Sequence, residues 1–279
     1  GRLMEYKLGF IGTGNMGGAL AVAAGKSMDP RRIVVANRTP EKARALAAQV
    51  GCAAAEHNED VASHAEYIVL GVKPNVMRDV VRGLSPTLAA CVRAGKPRVL
   101  VSIAAGIPVA AIKACLEVDV PVIRVMLNTP VLVGQGMLLL ASSAQNPGEV
   151  SEERFAEFQR MFVAAGDFER IPESAMDITG GVSGCTPAYV YLFIEALADG
   201  AVQTGVPRAL AMRLAAKAVL GSAAMVLETG KHPGTLKDAV CSPGGSTIMG
   251  VAALEQHGFR GAVARAVVQS TEKNCALGK

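Results

Sequence analysis

Tryptophan is absent from this 279-residue sequence, and four Tyr and seven Phe bring the aromatics to only 4%. The apolar half of the composition is therefore mostly Ala, Val and Leu, which suits close-packed helices and strands buried on both faces. Histidine is scarce, at four residues, and the six cysteines include no Cys-x-x-Cys pair and no His at metal spacing. That favours free thiols in a reducing compartment over a disulfide or zinc framework. Blocks of like charge are missing too. Lys and Arg (28) are interspersed with Asp and Glu (24), and the net charge of +4 suits a small anionic ligand while giving no ground for nucleic acid. No charged-then-apolar leader opens the sequence. Its longest apolar run, Ala218 to Leu227, falls far below the ~20 residues that span a bilayer. A cytoplasmic chain with no membrane partner is expected.

The length accommodates two domains with a large core. In the first half, short Val- and Ile-rich runs (Lys7–Ile11, Ile33–Ala36, Tyr67–Gly71, Arg98–Ile103, Val120–Met126) alternate with helical stretches (Asn15–Gly25, Pro40–Gln49, Pro74–Cys91, Pro108–Leu116). Three of those helices start on Pro, whose missing N–H has no partner in a first turn anyway. The alternation predicts a parallel sheet with helices on both faces. Gln135–Ala141 adds a strand, and a helix follows over 151–165. From about Ile171 the pattern becomes helical only, with helices at 187–204, 207–229, 245–258 and 260–276. The expected division is an α/β dinucleotide-binding domain over 1–170 and an all-α domain over 171–279. The 187–204 helix is apolar nearly all round and must be covered on every side. A domain of this size cannot supply that cover alone, so a second subunit is expected to pack on it.

Gly12-Thr13-Gly14-Asn15-Met16-Gly17 fits G-x-G-x-x-G, and it follows an apolar strand ending at Ile11 and opens a helical pattern. Gly12 would make the tight turn, Gly14 would admit a pyrophosphate to the backbone, and Gly17 would let helix and strand pack closely. The phosphates would sit on the free N–H groups of the helix's first turn. Where an acidic residue would read a ribose 2′-hydroxyl, Asn37-Arg38 offers an amide and a guanidinium, which suit a 2′-phosphate and hence NADP(H). Gly71-Val72-Lys73-Pro74, Ser102-Ile103-Ala104-Ala105-Gly106 and Asn128-Thr129-Pro130 follow later strands and should face the same crevice, the small residues leaving room for a flat nicotinamide. Far downstream, Ser242-Pro243-Gly244-Gly245-Ser246-Thr247 joins Pro and two Gly to hydroxyls at a predicted helix start, where free N–H groups bind an anion.

The run Gly12–Leu20, then Gly71–Pro74, Ser102–Gly106, Arg124–Pro130, Ser183–Tyr189 and Leu236–Thr247, resembles the pyrroline-5-carboxylate reductase family in order and spacing, from about Lys7 to Val268. The resemblance implies a Rossmann domain followed by an all-α C-terminal dimerisation domain that interlocks with its partner, the dimers sometimes assembling further. It implies NADPH-dependent reduction of 1-pyrroline-5-carboxylate to L-proline, with NADH as a possible second cofactor. Ile11, Gly12, Thr13, Gly14, Asn15, Met16, Asn37, Arg38, Asn58, Val72, Lys73, Pro74, Ala104 and Ala105 would contact the cofactor. Ser242, Gly245, Ser246 and Thr247 would hold the imine, Thr247 standing beside the ring nitrogen. No metal is implied. The sequence departs from the family pattern at Cys185-Thr186, where small Ser-Gly is usual, at Leu127 and at Gly230.

Two further readings remain: reduction of another cyclic imine carboxylate, and a non-catalytic NADP-binding regulator on the same scaffold. β-Hydroxyacid dehydrogenases share the two-domain plan, but their lysine base would fall at Val190, which leaves alcohol oxidation without a proton acceptor. His57 and His64 read as surface residues and His232 as part of a turn. Cys185 and Cys241 fall in segments expected near the substrate.

Overall fold

A computed structural model describes residues 5–277. Its first part alternates as expected: β1 (Tyr6–Ile11), α1 (Asn15–Ser27), β2 (Ile33–Ala36), α2 (Pro40–Val50), β3 (Ala53–Ala54), α3 (Asn58–His64), β4 (Ala65–Leu70), α4 (Pro74–Arg93), β5 (Val99–Ser102), α5 (Val109–Lys113), β6 (Val122–Met126), β7 (Gly136–Ala141), α6 (Glu152–Met161) and β8 (Gly166–Arg170). Among the described residues eight strands form one sheet in the order β3-β2-β1-β4-β5-β6-β7-β8. Every neighbouring pair is parallel except β6 and β7, so the expectation of a wholly parallel sheet is corrected at that one junction. The 3-10 turn Thr129–Val133 that joins β6 to β7 is too short for the crossover a parallel pair would need.

Strand alternation sorts the apolar side chains onto the two faces. Leu8, Phe10, Ile33, Val35, Val69 and Val101 meet α1 and α6 on one side. Ile11, Val34, Ala36, Ile68, Leu70 and Leu100 meet α3, α4 and α5 on the other. The sequence reading missed β3, β8 and α3. β3 is two residues long, β8 is mostly exposed and polar, and α3 begins with Asn58-Glu59-Asp60, which carry no apolar period.

After β8 come α7 (Met176–Gln203), α8 (Arg208–Thr229), α9 (Pro233–Ala239), α10 (Ser246–Gln256) and α11 (Phe259–Leu277). One compact unit runs to Gly184 and takes in the chain from Lys273, and the other is Cys185–Glu272. The units thus divide later than the change of pattern at 170/171. The start of α7 belongs to the sheet unit, where Met176 is buried with Leu139 and Ala141 and the Asn274 amide donates to the Asp177 carbonyl at 2.6 Å.

The start of α7 is itself a correction. The sequence opens this helix at Pro187, whereas the helix already runs from Met176 and Pro187 lies inside it. Proline removes one N–H from the ladder, and the acceptor it would have served, four residues back, is the Ser183 carbonyl. The Asn128 side chain donates to that carbonyl at 3.2 Å, so the proline leaves no orphaned carbonyl at Ser183.

In the second unit only Ala198, Ala211 and Ala215 are buried among the described residues. Tyr191, Leu192, Leu214, Leu220, Met225 and Leu227 are all more than half exposed. By length and composition α8 could cross a membrane, which the uninterrupted run Ala218–Leu227 alone did not suggest. Gly230, one of the departures noted above, closes α8 at φ +65°, a left-handed position where a Cβ is strained.

Candidate active site

Ile11 pairs with Ala36 on β2 and with Leu70 on β4, and Leu70 pairs with Ser102 on β5. The loops that follow these strands therefore emerge side by side at one edge of the sheet. The Gly12 N–H donates to the Ala36 carbonyl at 3.0 Å, and the Gly71 N–H to the Ile11 carbonyl at 2.8 Å. Three glycines interlock here. A Cβ on Gly12, which sits at φ +86°, would lie 2.8 Å from the Gly71 carbonyl. One on Gly71 would lie 2.7 Å from the Gly12 oxygen, and one on Gly17 2.8 Å from the same oxygen. Gly14 differs, because its nearest neighbour would be 3.9 Å away and the space in front of it is open. Of the glycines in the fingerprint, two serve the fold and Gly14 alone leaves room for a ligand.

Gly14 caps α1 with no side-chain hydrogen bond, and the first turn carries no acidic residue. Its N–H groups and the positive end of the helix are thus available to an anion. The Thr13 hydroxyl is buried beside them with no partner among the described residues. A cleft of about 360 Å³ adjoins Thr13, Gly14 and Asn15 and runs on between α1 and α2 as far as Lys26, away from the strand ends. Asn15 is exposed, and Met16 is half-buried against the core.

Asn37, half-buried, and Arg38, exposed, follow β2, and Arg38 makes no ion pair among the described residues. The backbone from β3 continues beside them, since the Ala55 N–H donates to the Val35 carbonyl at 2.8 Å. That brings half-buried Asn58, the first residue of α3, to the same edge. Val72 is half-buried next to Gly12, while Lys73 and Pro74 are exposed at the start of α4, which also lacks a side-chain cap. Ala104 is buried with its N–H 3.4 Å from the Ser102 hydroxyl, and Ala105 is exposed.

Asn128 does not face the crevice in the way the sequence suggests. Its carbonyl oxygen accepts from the Met137 N–H at 3.0 Å and its amide donates to Ser183, so both ends are spent on the fold. Cys52, half-buried, has its thiol pushed up to about 11 by burial, and all six cysteines are free. No cluster of metal-ligating side chains occurs among the described residues.

The hydroxyl-rich loop forms in the helical unit. Gly244 takes φ +69°, Gly245 caps α10, and Ser246 and Thr247 occupy the first turn. No side chain caps this helix, so Thr247 is not spent as a cap. It is exposed, and its hydroxyl has no partner among the described residues. A Cβ on Gly245 would collide with the Ser242 hydroxyl, so the bare glycine keeps that side chain against the helix start. The uncapped N–H groups beside two free hydroxyls suit a carboxylate.

A doubly covered sheet, a glycine turn opening onto an uncapped helix and a cation at the end of β2 define a dinucleotide-binding oxidoreductase whose residues fit NADP(H). Comparison with known proteins makes this specific. The family described as pyrroline-5-carboxylate reductase dimerisation matches residues 173–277, and the one described as NADP oxidoreductase coenzyme F420-dependent matches residues 7–106. The chain is 45% identical to the pyrroline-5-carboxylate reductase of Escherichia coli over 279 residues, covering 99% of this chain and 100% of the relative. Among solved structures, the Plasmodium falciparum pyrroline carboxylate reductase with NADP bound is 32% identical with a TM-score of 0.81, covering 99% and 100% of the two chains. The Coxiella burnetii pyrroline-5-carboxylate reductase is 29% identical with a TM-score of 0.89, covering 98% and 99%. The chain belongs to the pyrroline-5-carboxylate reductase family.

Proposed function

We infer that the protein reduces 1-pyrroline-5-carboxylate to L-proline with NADPH, as an oxidoreductase acting on a C=N bond. The observation that carries the inference is the end-to-end match to reductases of that name, with dinucleotide-binding and dimerisation families matching successive parts. NADPH when bound supplies the hydride. The chain has to hold it, anchor the imine and satisfy the ring nitrogen. Thr13 and the first turn of α1 hold the pyrophosphate, and Asn37 and Arg38 take the 2′-phosphate, with NADH a weaker alternative. Asn58, Val72, Lys73, Pro74, Ala104 and Ala105 complete the cofactor's walls.

On the substrate side, the α10 N–H groups with Ser242, Gly245 and Ser246 anchor the carboxylate, and Thr247 offers its hydroxyl at the ring nitrogen. Oriented dipoles and close approach lower the barrier without a titrating acid, because the imine can take up a proton near neutral pH. The functional boundary lies at 170/171. Residues 171–279 interlock with the same region of a second copy, which covers the apolar faces of α7 and α8, so α8 needs no membrane. The working form is a homodimer or higher assembly in the cytoplasm, with neither nucleic acid nor lipid as partner.

The test is the loss of reduced-nicotinamide absorbance with purified protein and 1-pyrroline-5-carboxylate, repeated with NADH and with a six-membered imine carboxylate. Fast turnover with the five-membered ring and NADPH supports the inference. Tight NADPH binding with no turnover on either ring replaces it with a non-catalytic regulator, and turnover on the six-membered ring alone reassigns the substrate.

A further inference from the structure

We propose that Arg98 is a positioning residue for the cofactor, acting through α3 on the edge of the site where Asn37, Arg38 and Asn58 stand; this rests on the NADP(H) reading above. Arg98 lies just before β5, and its side chain is 2% exposed. A buried guanidinium is tolerated only when its N–H groups find acceptors. Here those acceptors are peptide oxygens rather than a carboxylate. Nε donates to the Ala62 carbonyl at 2.8 Å, Nη2 to the Ser63 carbonyl at 2.6 Å and Nη1 to the Pro97 carbonyl at 2.9 Å. Its nearest acid, the exposed Glu5, is 4.0 Å away.

Ala62 and Ser63 belong to the last turn of α3. The Ala65 N–H serves the Val61 carbonyl, after which the chain turns into β4 and leaves the next carbonyls without backbone donors. Arg98 supplies those donors, and its charge complements the negative end of the helix. The Cys91 thiol adds only long contacts of 3.8 and 3.9 Å to the same two oxygens.

A seven-residue helix has no stability of its own, so tertiary ties must set its pose. α3 has two. Val61 and Ala62 are buried, and Val61 packs so tightly on bare Gly9 of β1 that a Cβ there would collide with it. That contact fixes the helix sideways. At the N-terminal end His57 provides no side-chain cap. The side-chain hydrogen bonds that hold an end of the helix are those of Arg98 at the C-terminal turn. Asn58 sits one helix length away, roughly 10 Å, at the cofactor edge. Loosening Arg98 frees α3 to tilt or slide and misplaces that edge, while the glycine turn, the nicotinamide-side loops and the hydroxyl-rich loop keep their own supports.

The test compares Arg98→Met, Arg98→Lys and a control, Arg154→Met. Arg154 bonds Glu66 and Tyr67 of β4 and Glu157 of α6, and makes no hydrogen bond to the α3 carbonyls. NADPH affinity is measured by fluorescence titration without imine, alongside Tm and steady-state kinetics. The expected result for Arg98→Met is a rise of about three- to tenfold in Kd and KM for NADPH, with kcat at saturating NADPH and KM for the imine unchanged. Arg98→Lys recovers part of the affinity, and Arg154→Met lowers Tm without moving Kd. Three outcomes overturn the proposal: an unchanged Kd in Arg98→Met (or in Arg98→Lys, should the Met variant fail to fold), an equal rise in Arg154→Met, or a fall in kcat as large as the rise in KM. A wild-type chain that binds no NADPH overturns both this proposal and the function above, whereas binding without turnover leaves the proposal open to the same titration.

Discussion

Asn128 donates through its side-chain amide to the Ser183 carbonyl at 3.2 Å, the one helical acceptor that Pro187 cannot serve. The pairing joins two segments 55 residues apart in the chain. It turns a proline that should break a helix into one that α7 tolerates, and it ties that helix to the end of β6 and the start of β7.

Replacing Asn128 by Asp therefore removes the donor and sets a carboxylate against a carbonyl. The expected cost is about 1–3 kcal/mol of stability, read by chemical denaturation. In a Pro187→Ala background the helix regains its own N–H for Ser183, and the same substitution should cost less. An identical cost in both backgrounds would show that the amide does not stand in for the missing N–H.

The glycines of the turn should separate into two kinds. Gly71→Ala forces a Cβ to 2.7 Å from the Gly12 oxygen, so stability and NADPH affinity should fall together, the former by about 1–3 kcal/mol. Gly14→Ala meets nothing closer than 3.9 Å and should leave Tm nearly unchanged while weakening NADPH. A Gly14→Ala protein with normal affinity would remove Gly14 from the binding surface.

Arg38→Ala should raise KM for NADPH about tenfold and leave KM for NADH in place, because only the former carries the 2′-phosphate. Parallel losses with both would mean that the guanidinium does not read that group.

Thr247→Ala should lower kcat with the imine by about 10²-fold while NADPH binding, titrated separately, stays within error. The hydroxyl is exposed and uncommitted, so its removal leaves no buried orphan and Tm should hold. An unchanged kcat/KM would take the hydroxyl off the ring nitrogen.

Acid sensitivity should centre on the cluster under α6. Tyr67 is fully buried and donates to Glu157 at 2.6 Å, and Lys7 bonds the same carboxylate. Burial works to raise the Glu157 carboxyl, but the Lys7 ammonium and the Tyr67 hydroxyl outweigh it and hold the group below its ordinary 4.5. A carboxyl lowered in the folded state contributes stability that is complete above its unfolded pKa and is lost as pH falls through the folded one. Tm should accordingly hold down to about pH 4.5 and drop below it, and Glu157→Gln should flatten that drop. An acid limb identical in the variant would assign it to other carboxylates.

Much of the fold was legible because its signals are local. An apolar strand, a glycine turn and a helix read in order placed β1, the turn and α1 within a few residues, and the switch to helices after Ile171 marked where the sheet ends. The hydroxyls at 246 and 247 were found the same way, as a turn opening a helix. What escaped lacked a local signal. β8 is a polar edge strand, α3 opens with polar residues, and Arg98 is a single arginine whose acceptors lie 35 and 36 residues earlier.

The sequence by itself determined the two-part plan, the glycine turn, the absence of an acidic residue after β2 and the apolar excess of the C-terminal helices, because each depends on periodicity or on a backbone freedom written at one position. Only the tertiary structure decided which fingerprint glycines pack and which stays open, that β7 runs antiparallel to β6, that Asn128 is spent on α7 rather than on the crevice, and that Arg98 bonds the last carbonyls of α3. These depend on atoms brought together from distant parts of the chain, where a donor's worth is set by whichever carbonyl the fold leaves unpaired.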